Sequence, residues 1–503
     1  MYQKTNKNQL SIEEFVLPFG GKLDEENRWV KLARIIPWDE IEARYEKNFS
    51  DKQGRTAITA RVAFGSIYIK EQENLTDEGC VRYIQENPYA QYFLGLGEFR
   101  KEPLFDSSMM VHFRRRFPAK DIAEINEYIC TGKWPREKNT DDDSDNDSGN
   151  EPSKSSVAKG KANPNTSKKK QKQRKKLKNK GNLLMDATVA PSDIRYPTDL
   201  SLLNQSREIL ETAIDELWPH TERKGHKTPY NRKKARKAYL KIAKSKKYKK
   251  SALRSAIGYQ LECIHSAFPR VEKLLAEAGE DKLSSWIKKR LATIRKVYEQ
   301  QKLMYDTRSS KCDDRIVSLH QPHVRPIVRG KARSKYEFGQ KLHLSVVDGY
   351  TFIETQSWNN FNEGNELQEL ANRYRERFGY YPAAILADKI YQTRENRAFC
   401  KLNEIRLSGP PLGRPRKDQS EEVRMKQTYL DACDRNAVEG RNGNLKRRFG
   451  LDLITSVLDE NAKTEAALQI LAMNLLQRLR SLFAHFLRHF PFVPQKSLIL
   501  IFQ

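Results

Sequence analysis

Residues 141 to 180 constrain this chain most, because they have almost nothing to bury. Asp141 to Glu151 holds six acids and no base, and Lys159 to Lys180 then holds eleven bases and no acid. Neither half removes enough apolar surface from water to offset its ordering entropy. The expectation for 136–182 is therefore a disordered linker, acidic then basic. A chain interrupted there folds as separate parts, and at roughly 150 residues per domain its 503 residues suit two to four of them. The predicted order is a mostly helical domain over 1–135, the linker over 136–182, and an α/β part over 183–503 that carries a helical insertion at about 200–325. The basic half of the linker would hold phosphates without reading sequence, and a nuclear-localisation reading fits the same lysines.

Charge narrows the partners. Lysine and arginine total 92 against 65 acids, a net charge of +27. Such an excess calls for a polyanion, and nucleic acid is the default, with a merely basic soluble enzyme as the alternative. No apolar run of about 18 residues exists, which argues against a membrane-spanning helix. The polar N-terminus does not read as a secretory signal. The cysteines are scattered without a CxxC pair, which suits a reducing interior and argues against a disulfide scaffold or a zinc finger.

In the first part, Thr76 reads as a helix N-cap before Asp77 and Glu78, and Asn87-Pro88 as the stop. A second start lies at Asp106-Ser107-Ser108, followed by Met109, Met110, Phe113 and Phe117. Arg114, Arg115 and Arg116 lie on that helix. Two short helices around a turn would place these cations along a DNA groove; the alternative is a helical packing domain with a solvated basic face.

After the linker, Leu183-Leu184-Met185-Asp186 reads as a buried strand ending in a carboxylate. A helical stretch follows from about Leu200 to Tyr305. Within it Arg232 to Lys250 carries eleven bases, Lys233, Lys234 and Arg236 among them. So many like charges repel unless a polyanion compensates them. Strands return at 336: Leu342, Leu344 and Val346 alternate with Lys341, His343 and Ser345, the pattern of a half-buried strand. Asp348-Gly349 is a hairpin signal, and Tyr350 to Thr355 the returning strand. Asn365 to Phe378 is a helix with Leu367, Leu370, Ala371 and Tyr374 inward. Ala383 to Ala387 is a continuous apolar strand with Asp388 at its carboxyl end, where open α/β sheets build their sites.

A third carboxylate joins these two. Wound as a helix, Arg435, Glu439, Asn442 and Lys446 share one face, and Val438, Leu445 and Phe449 form an apolar stripe beside it. Gly440 and Gly443 each cost about 1 kcal/mol within a helix, which implies that the sheet or a phosphate backbone packs close. An exposed basic helix with an internal Arg–Glu pair is the alternative. Asp186, Asp388 and Glu439 are an oxygen-only donor set, suited to Mg²⁺ or Mn²⁺. Two such ions about 4 Å apart serve phosphodiester displacement. His320 and His323 read as a loop pair. Trp358 either packs or wedges into DNA, and Thr464 to Leu487 is a core or assembly helix.

These residues resemble bacterial insertion-sequence transposases of the DDE class, in the IS-five family. "DATVAP" at 186 looks like the first catalytic strand. "ILADKIYQTRENR" at 385 resembles the second Asp motif, with Tyr391 and Asn396 matching. "DRNAVEGRNGNLKRRFGL" at 434 resembles the Tyr-Arg-Glu-Lys signature, with Arg435, Glu439 and Lys446 at the family spacing. The signature Tyr would fall at Ala432, and Tyr429 lies one turn before it. The resemblance implies an RNase H-like core; the helical insertion after its first strand is long, and its role does not follow from the family. It implies Asp186, Asp388 and Glu439 as catalytic metal ligands for two Mg²⁺ ions, or Mn²⁺. Arg435 and Lys446 would bind transposon-end phosphates, joined by Arg441, Arg447, Arg114, Arg115, Arg116, Lys233, Lys234 and Arg236 as DNA-binding cations. The implied function is cleavage at terminal inverted repeats and joining of the 3′ hydroxyls to target DNA. A homodimer on double-stranded DNA, cytoplasmic and nucleoid-associated, would carry it out. The alternatives are an inactive transposase-derived DNA-binding protein and an RNase H-like nuclease without strand transfer.

Overall fold

The computed structural model describes residues 2, 11–17, 20–49, 56–135, 178–328, 336–409 and 421–489. The linker expected over 136–182 lies outside the described residues as far as 177. By Asn179 and Lys180 the chain is anchored, through hydrogen bonds to the carbonyls of Asn403 and Tyr381.

Seven helices precede the linker among the described residues: α1 (Arg28–Ile35), α2 (Trp38–Glu46), α3 (Ala60–Glu73), α4 (Asp77–Glu86), α5 (Pro88–Phe93), α6 (Met109–Arg116) and α7 (Ala119–Thr131). Their boundaries follow local chemistry. The Thr76 hydroxyl accepts from the Gly79 amide at 3.0 Å to start α4. Asn87 ends α4 and at once caps α5, accepting from the amides of Tyr89 and Ala90, with Pro88 at the first helical position. Helix α3 is buried on nearly every side, with Phe64, Ile67 and Tyr68 inaccessible, and both α4 and α6 pack on it.

After 178 the chain is mixed α/β. Strand β1 (Asn182–Pro191) leads into α8 (Asp199–Leu217), α9 (Arg232–Ala243), α10 (Lys250–Ala278) and α11 (Ser285–Thr307). These helices bury their own core, including Leu203, Leu210, Ile264, Ile287 and Val297. Then come β2 (Arg325–Val328), β3 (Tyr336–Val347), β4 (Tyr350–Ser357), α12 (Leu367–Phe378), β5 (Ala384–Leu386), α13 (Arg394–Leu402), β6 (Arg406–Leu407), α14 (Glu421–Phe449) and α15 (Asp459–His489). The sheet runs β2-β3-β1-β5-β6, with β4 also on β3. β3 is antiparallel to β1, β2 and β4, whereas β1, β5 and β6 are parallel neighbours. The β3–β4 hairpin turns at Asp348 (φ 49°) and Gly349 (φ 83°), the pair of left-handed residues that matches strand twist.

Two expectations change here. Strands return at Arg325, not at 336; β2 is a short edge strand whose Pro326 suits an edge and hides it from a strand pattern. And β3 is not half-exposed. Lys341, His343 and Ser345 are buried like the leucines between them, His343 and Ser345 completely, because α12 and the turn before it cover that face. Each finds a carboxylate there: Lys341 meets Glu363 at 3.1 Å, His343 meets Glu366 at 2.6 Å, and Ser345 donates to Glu354.

The opposite face carries Ala190, Leu342 and Leu344 against Leu445 and Phe449 of α14 and Ala467, Leu471 and Leu475 of α15. That cluster is continuous with the core of the N-terminal helices. α15 therefore lies between the sheet and α3, α6 and α7. Polar pairs cross the same boundary, as in Asn474 to Asn126 at 2.8 Å and Gln469 to Glu71 at 3.2 Å. Trp358 packs: its ring lies 4.5 Å from that of His323 and its indole N–H donates to Asp459 at 2.7 Å.

Candidate active site

The parallel register of β1 and β5 builds the site. Leu183 lies beside Ile385 and Leu184 beside Leu386. Two residues further along each chain stand Asp186 and Asp388, on the face that Leu184 and Leu386 share. Neighbouring strands lie about 4.8 Å apart, so the two carboxylates start as lateral neighbours. Asp388 is just past its strand and caps the next short turn, accepting from the Lys389 amide at 2.7 Å. Asp186 departs from the sequence reading: β1 runs on to Pro191, because β3 still pairs with it as far as Gly339. Asp186 is therefore mid-strand, at the level where β5 stops.

α14 lies over this point. Val438, Leu445 and Phe449 are buried, and the helix contacts both β1 and β5. Its next face then falls on the aspartates. Arg435 Nη2 is 3.6 Å from Asp388 Oδ1, and Asn442 Nδ2 donates to Asp186 Oδ2 at 2.7 Å. Glu439 shares this helix face, one turn from Arg435 and one from Asn442. It is exposed and has no hydrogen-bond or ion-pair partner among the described residues. The three carboxylates are not drawn into one ligand cluster among the described residues. Asn442 occupies one aspartate and Arg435 the other, which limits the repulsion between anions. The donors that remain are all hard oxygens, and Asp388 and Glu439 are open to solvent, so the set fits Mg²⁺ or Mn²⁺.

Behind the site, on the far face of the sheet, the Tyr391 hydroxyl meets His343 Nε2 at 2.7 Å, and His343 Nδ1 meets Glu366 at 2.6 Å. Burial, then the charges of Glu363, Asp186 and Glu366, push the Tyr391 phenol far above its usual range, so it stays protonated. Asn396 holds the turn by donating to the carbonyls of Gly364 and Tyr391. Helical spacing alone gives Asn442 no task, and strand alternation puts His343 on the solvent side. The polar residue on the carboxylate face of α14 was the available signal for the first.

Other expected site residues are placed as follows. Lys233, Lys234 and Arg236 are exposed on α9, which packs on α8 and α10 within the insertion. Lys446 is half-buried on the Glu439 face; Arg441 lies about half a turn round α14 from Glu439 and the exposed Arg447 about a quarter turn. Tyr429 is exposed and bonds to Cys433, one turn on. No protein atom packs on Gly440, and Gly443 meets only the Arg447 guanidinium, so the sheet does not account for either glycine.

The reading of Arg114 as a groove cation is revised. It is 5% exposed and forms a two-pronged pair with Asp77, at 2.9 and 2.7 Å, that ties α6 to α4. Arg116 bonds the Tyr45 hydroxyl and lies over Phe49, and Arg115 alone of the three is exposed. A helix whose first arginine closes a core cannot offer it to DNA. Arg114→Ala is expected to destabilise the fold by about 3 kcal/mol, read as a drop in urea midpoint, because it strands Asp77. Unchanged stability with lost DNA affinity would reverse this assignment.

Comparison with known proteins adds the remaining observation. A family described as "Transposase DDE domain" matches residues 385–476, and one described as "Transposase domain (DUF772)" matches residues 18–116. Both matched segments are thus similar to transposase domains. The DDE transposase segment takes in Asp388, all of α14 and half of α15, and leaves Asp186 outside. The N-terminal transposase segment takes in α1 to α6. A curated relative, "Uncharacterized protein ORF8 in nfe locus" of Rhizobium meliloti, is 35% identical over 99 residues, which is 19% of this chain and 46% of the relative. The chain thus spans about half the length of that relative. No solved structure matches. Among the described residues, no helix is long and apolar enough to cross a membrane.

Proposed function

We propose that the protein is a DNA transposase of the DDE class, with an RNase H-like core, that cleaves the ends of an insertion sequence and joins them to target DNA. One observation carries the reading: α14 reaches both aspartates, through Asn442 on Asp186 and Arg435 on Asp388, and Glu439 shares that helix face. The sheet supports the core assignment, with β3 antiparallel to β1, β4 and the short edge strand β2, and β5 and β6 continuing parallel to β1.

Asp186, Asp388 and Glu439 would hold Mg²⁺ or Mn²⁺. When bound, the metal supplies Lewis-acid stabilisation of a phosphodiester transition state and a ready nucleophile. The rest falls to this chain's own side chains. Asn442 orients Asp186 by its 2.7 Å hydrogen bond, and Arg435 is positioned to release Asp388 and take a phosphate in its place. Lys446, Arg115 and the cations of α9 would hold the end outside the reacting position. Water attacks first and the freed 3′ hydroxyl second; two ends brought together imply at least a homodimer.

The test is a donor plasmid carrying the inverted repeats that flank the reading frame, incubated with protein and Mg²⁺. Joined products support the reading. Cut products without joining assign a nuclease, and end binding without either assigns an inactive DNA-binding protein. Arg435→Ala should lower end affinity roughly tenfold in a gel shift, as expected for a lost charge-assisted phosphate contact, and leave weak residual cleavage. Unaltered affinity and rate would mean that Arg435 serves only to neutralise Asp388.

A further inference from the structure

We propose that the face of α14 turned away from Glu439 is a second DNA site, which holds the phosphate backbone of the target duplex. The inference rests on the transposase reading for the name of the duplex, but the site itself rests on a groove between α14 and α15. That groove has a volume of about 640 Å³ and is lined by Arg441, Arg447, Arg448 and Arg480, with no acid in its wall.

Three observations carry it. First, these arginines lack the acid that ties down several arginines elsewhere in the fold. Arg114 meets Asp77, Arg207 meets Glu211, Arg377 meets Glu354 and Arg406 meets Asp431. The four in the groove have no carboxylate partner among the described residues. Burial, and the charge of Arg480 beside it, act to pull the Arg441 guanidinium below its usual value. Arg441 is half-buried and Arg447, Arg448 and Arg480 are exposed, and like charges gathered in one groove repel one another unless a polyanion lies among them.

Second, the floor is cleared. Ala437 and Gly440 line the groove, and a Cβ built on Gly440 would meet nothing within 4 Å. A glycine there costs helix stability and gains no protein contact, yet it lets a bulky backbone approach the helix closely.

Third, the geometry separates this groove from the carboxylates. At 3.6 residues per turn, Arg441 and Arg448 lie about half a turn round the helix from Glu439. A duplex whose scissile phosphate is at Asp186 and Asp388 approaches from the other side. Guanidinium groups aimed at phosphates read no sequence, which suits a duplex captured irrespective of its bases. Transposon ends must instead be read.

The test uses the full chain with Gly440→Glu and, separately, with Arg448→Gln and Arg480→Gln together. Gly440→Glu places an anion in open space and removes a helix-breaking residue, so the circular-dichroism signal should persist. Two measurements follow: affinity for a random 30-base-pair duplex across a salt series, and end cleavage against joining to a target plasmid. We expect the double variant to lower the slope of log affinity against log salt by about two, at roughly 0.9 per lost contact. Gly440→Glu should weaken random-duplex binding at least tenfold, and both should cut joining far more than cleavage. Unchanged slope and unchanged joining overturn the proposal. Equal loss of cleavage and joining would place the end, not the target, in the groove and overturn it as well. A gain in binding on removing residues 141–151, seen with the native groove and absent from Gly440→Glu, would assign the groove to the chain's own acidic tract. Failure of the native protein to cleave any end sinks the transposase reading alone, because the random-duplex titration still decides whether the groove holds phosphates.

Discussion

Asp186→Asn, Asp388→Asn and Glu439→Gln should each reduce Mg²⁺-dependent cleavage and joining by more than about 1,000-fold, or over about 4 kcal/mol of barrier. Each exchange keeps the shape of the side chain and removes one anionic oxygen donor. The structure makes the three variants distinguishable in what else they disturb. Asn at 186 can still accept the hydrogen bond that Asn442 donates with its amide. Asn at 388 loses its ion pair with Arg435, a pair whose side chains are 39% and 61% exposed and which therefore contributes little to stability. Glu439 has no partner to lose among the described residues. All three variants should stay folded and should bind ends as well as the native protein, since they remove negative charge and no cation. Purified variants would be compared by gel shift on end duplexes and by cleavage with Mg²⁺. A variant that cleaves at near-native rate is not a ligand variant, and the site assignment fails at that residue. Loss of the folded circular-dichroism signal in all three would instead make the carboxylates structural caps.

The second large effect concerns salt. The basic stretch Lys159 to Lys180 and the α9 region from Arg232 to Lys250 each carry eleven bases. If six to ten of these cations contact phosphate, affinity for duplex DNA should fall by about 10³ to 10⁵ between 50 and 200 mM salt. Not all are free to do so: Arg232 is paired with Asp215 at 2.6 Å, whereas Lys233, Lys234 and Arg236 face solvent. Exchanging the lysines of 159–180 for glutamine should weaken binding to end and random duplexes alike, because contacts to phosphate carry no base information. Fluorescence-anisotropy titrations over a salt series measure both effects. A nearly flat response would remove the nucleic-acid reading of these segments. Loss confined to end duplexes would mean that the tract reads sequence.

Several features were legible in the chain because they depend on neighbours a few residues apart. Thr76 caps its helix through an amide three residues on, Asp348-Gly349 turns the hairpin, and Ala384 to Leu386 form a buried strand. The offsets that put Arg435, Glu439 and Asn442 on one face, and Val438, Leu445 and Phe449 on another, are helix geometry and need no partner. Three features were not legible. Arg114 is solvated or buried depending on Asp77, 37 residues away, and nothing in the Arg114-Arg115-Arg116 run marks which one turns inward. His343 sits at the polar position of an alternating strand, and only a second layer carrying Glu366 and Tyr391 makes that position interior. The glycines of α14 announce a close approach and do not say from which side.

By itself, then, the sequence determined which residues lie together on each element, since side-chain direction repeats with a period of about 3.6 in a helix and 2 in a strand. It also determined the excess of positive charge. The tertiary structure decided which faces meet. The step from Leu184 beside Leu386 to Asp186 beside Asp388 depends on register between strands some 200 residues apart, which no local pattern encodes. The hydrogen bond from Asn442 to Asp186 spans 256 residues and exists only because the apolar stripe of α14 docks on that sheet face. The four arginines of the groove come from two helices whose separation is set by the packing of α15 between the sheet and the N-terminal helices. Periodicity fixes direction along one element, and burial of a shared core fixes what that direction points at.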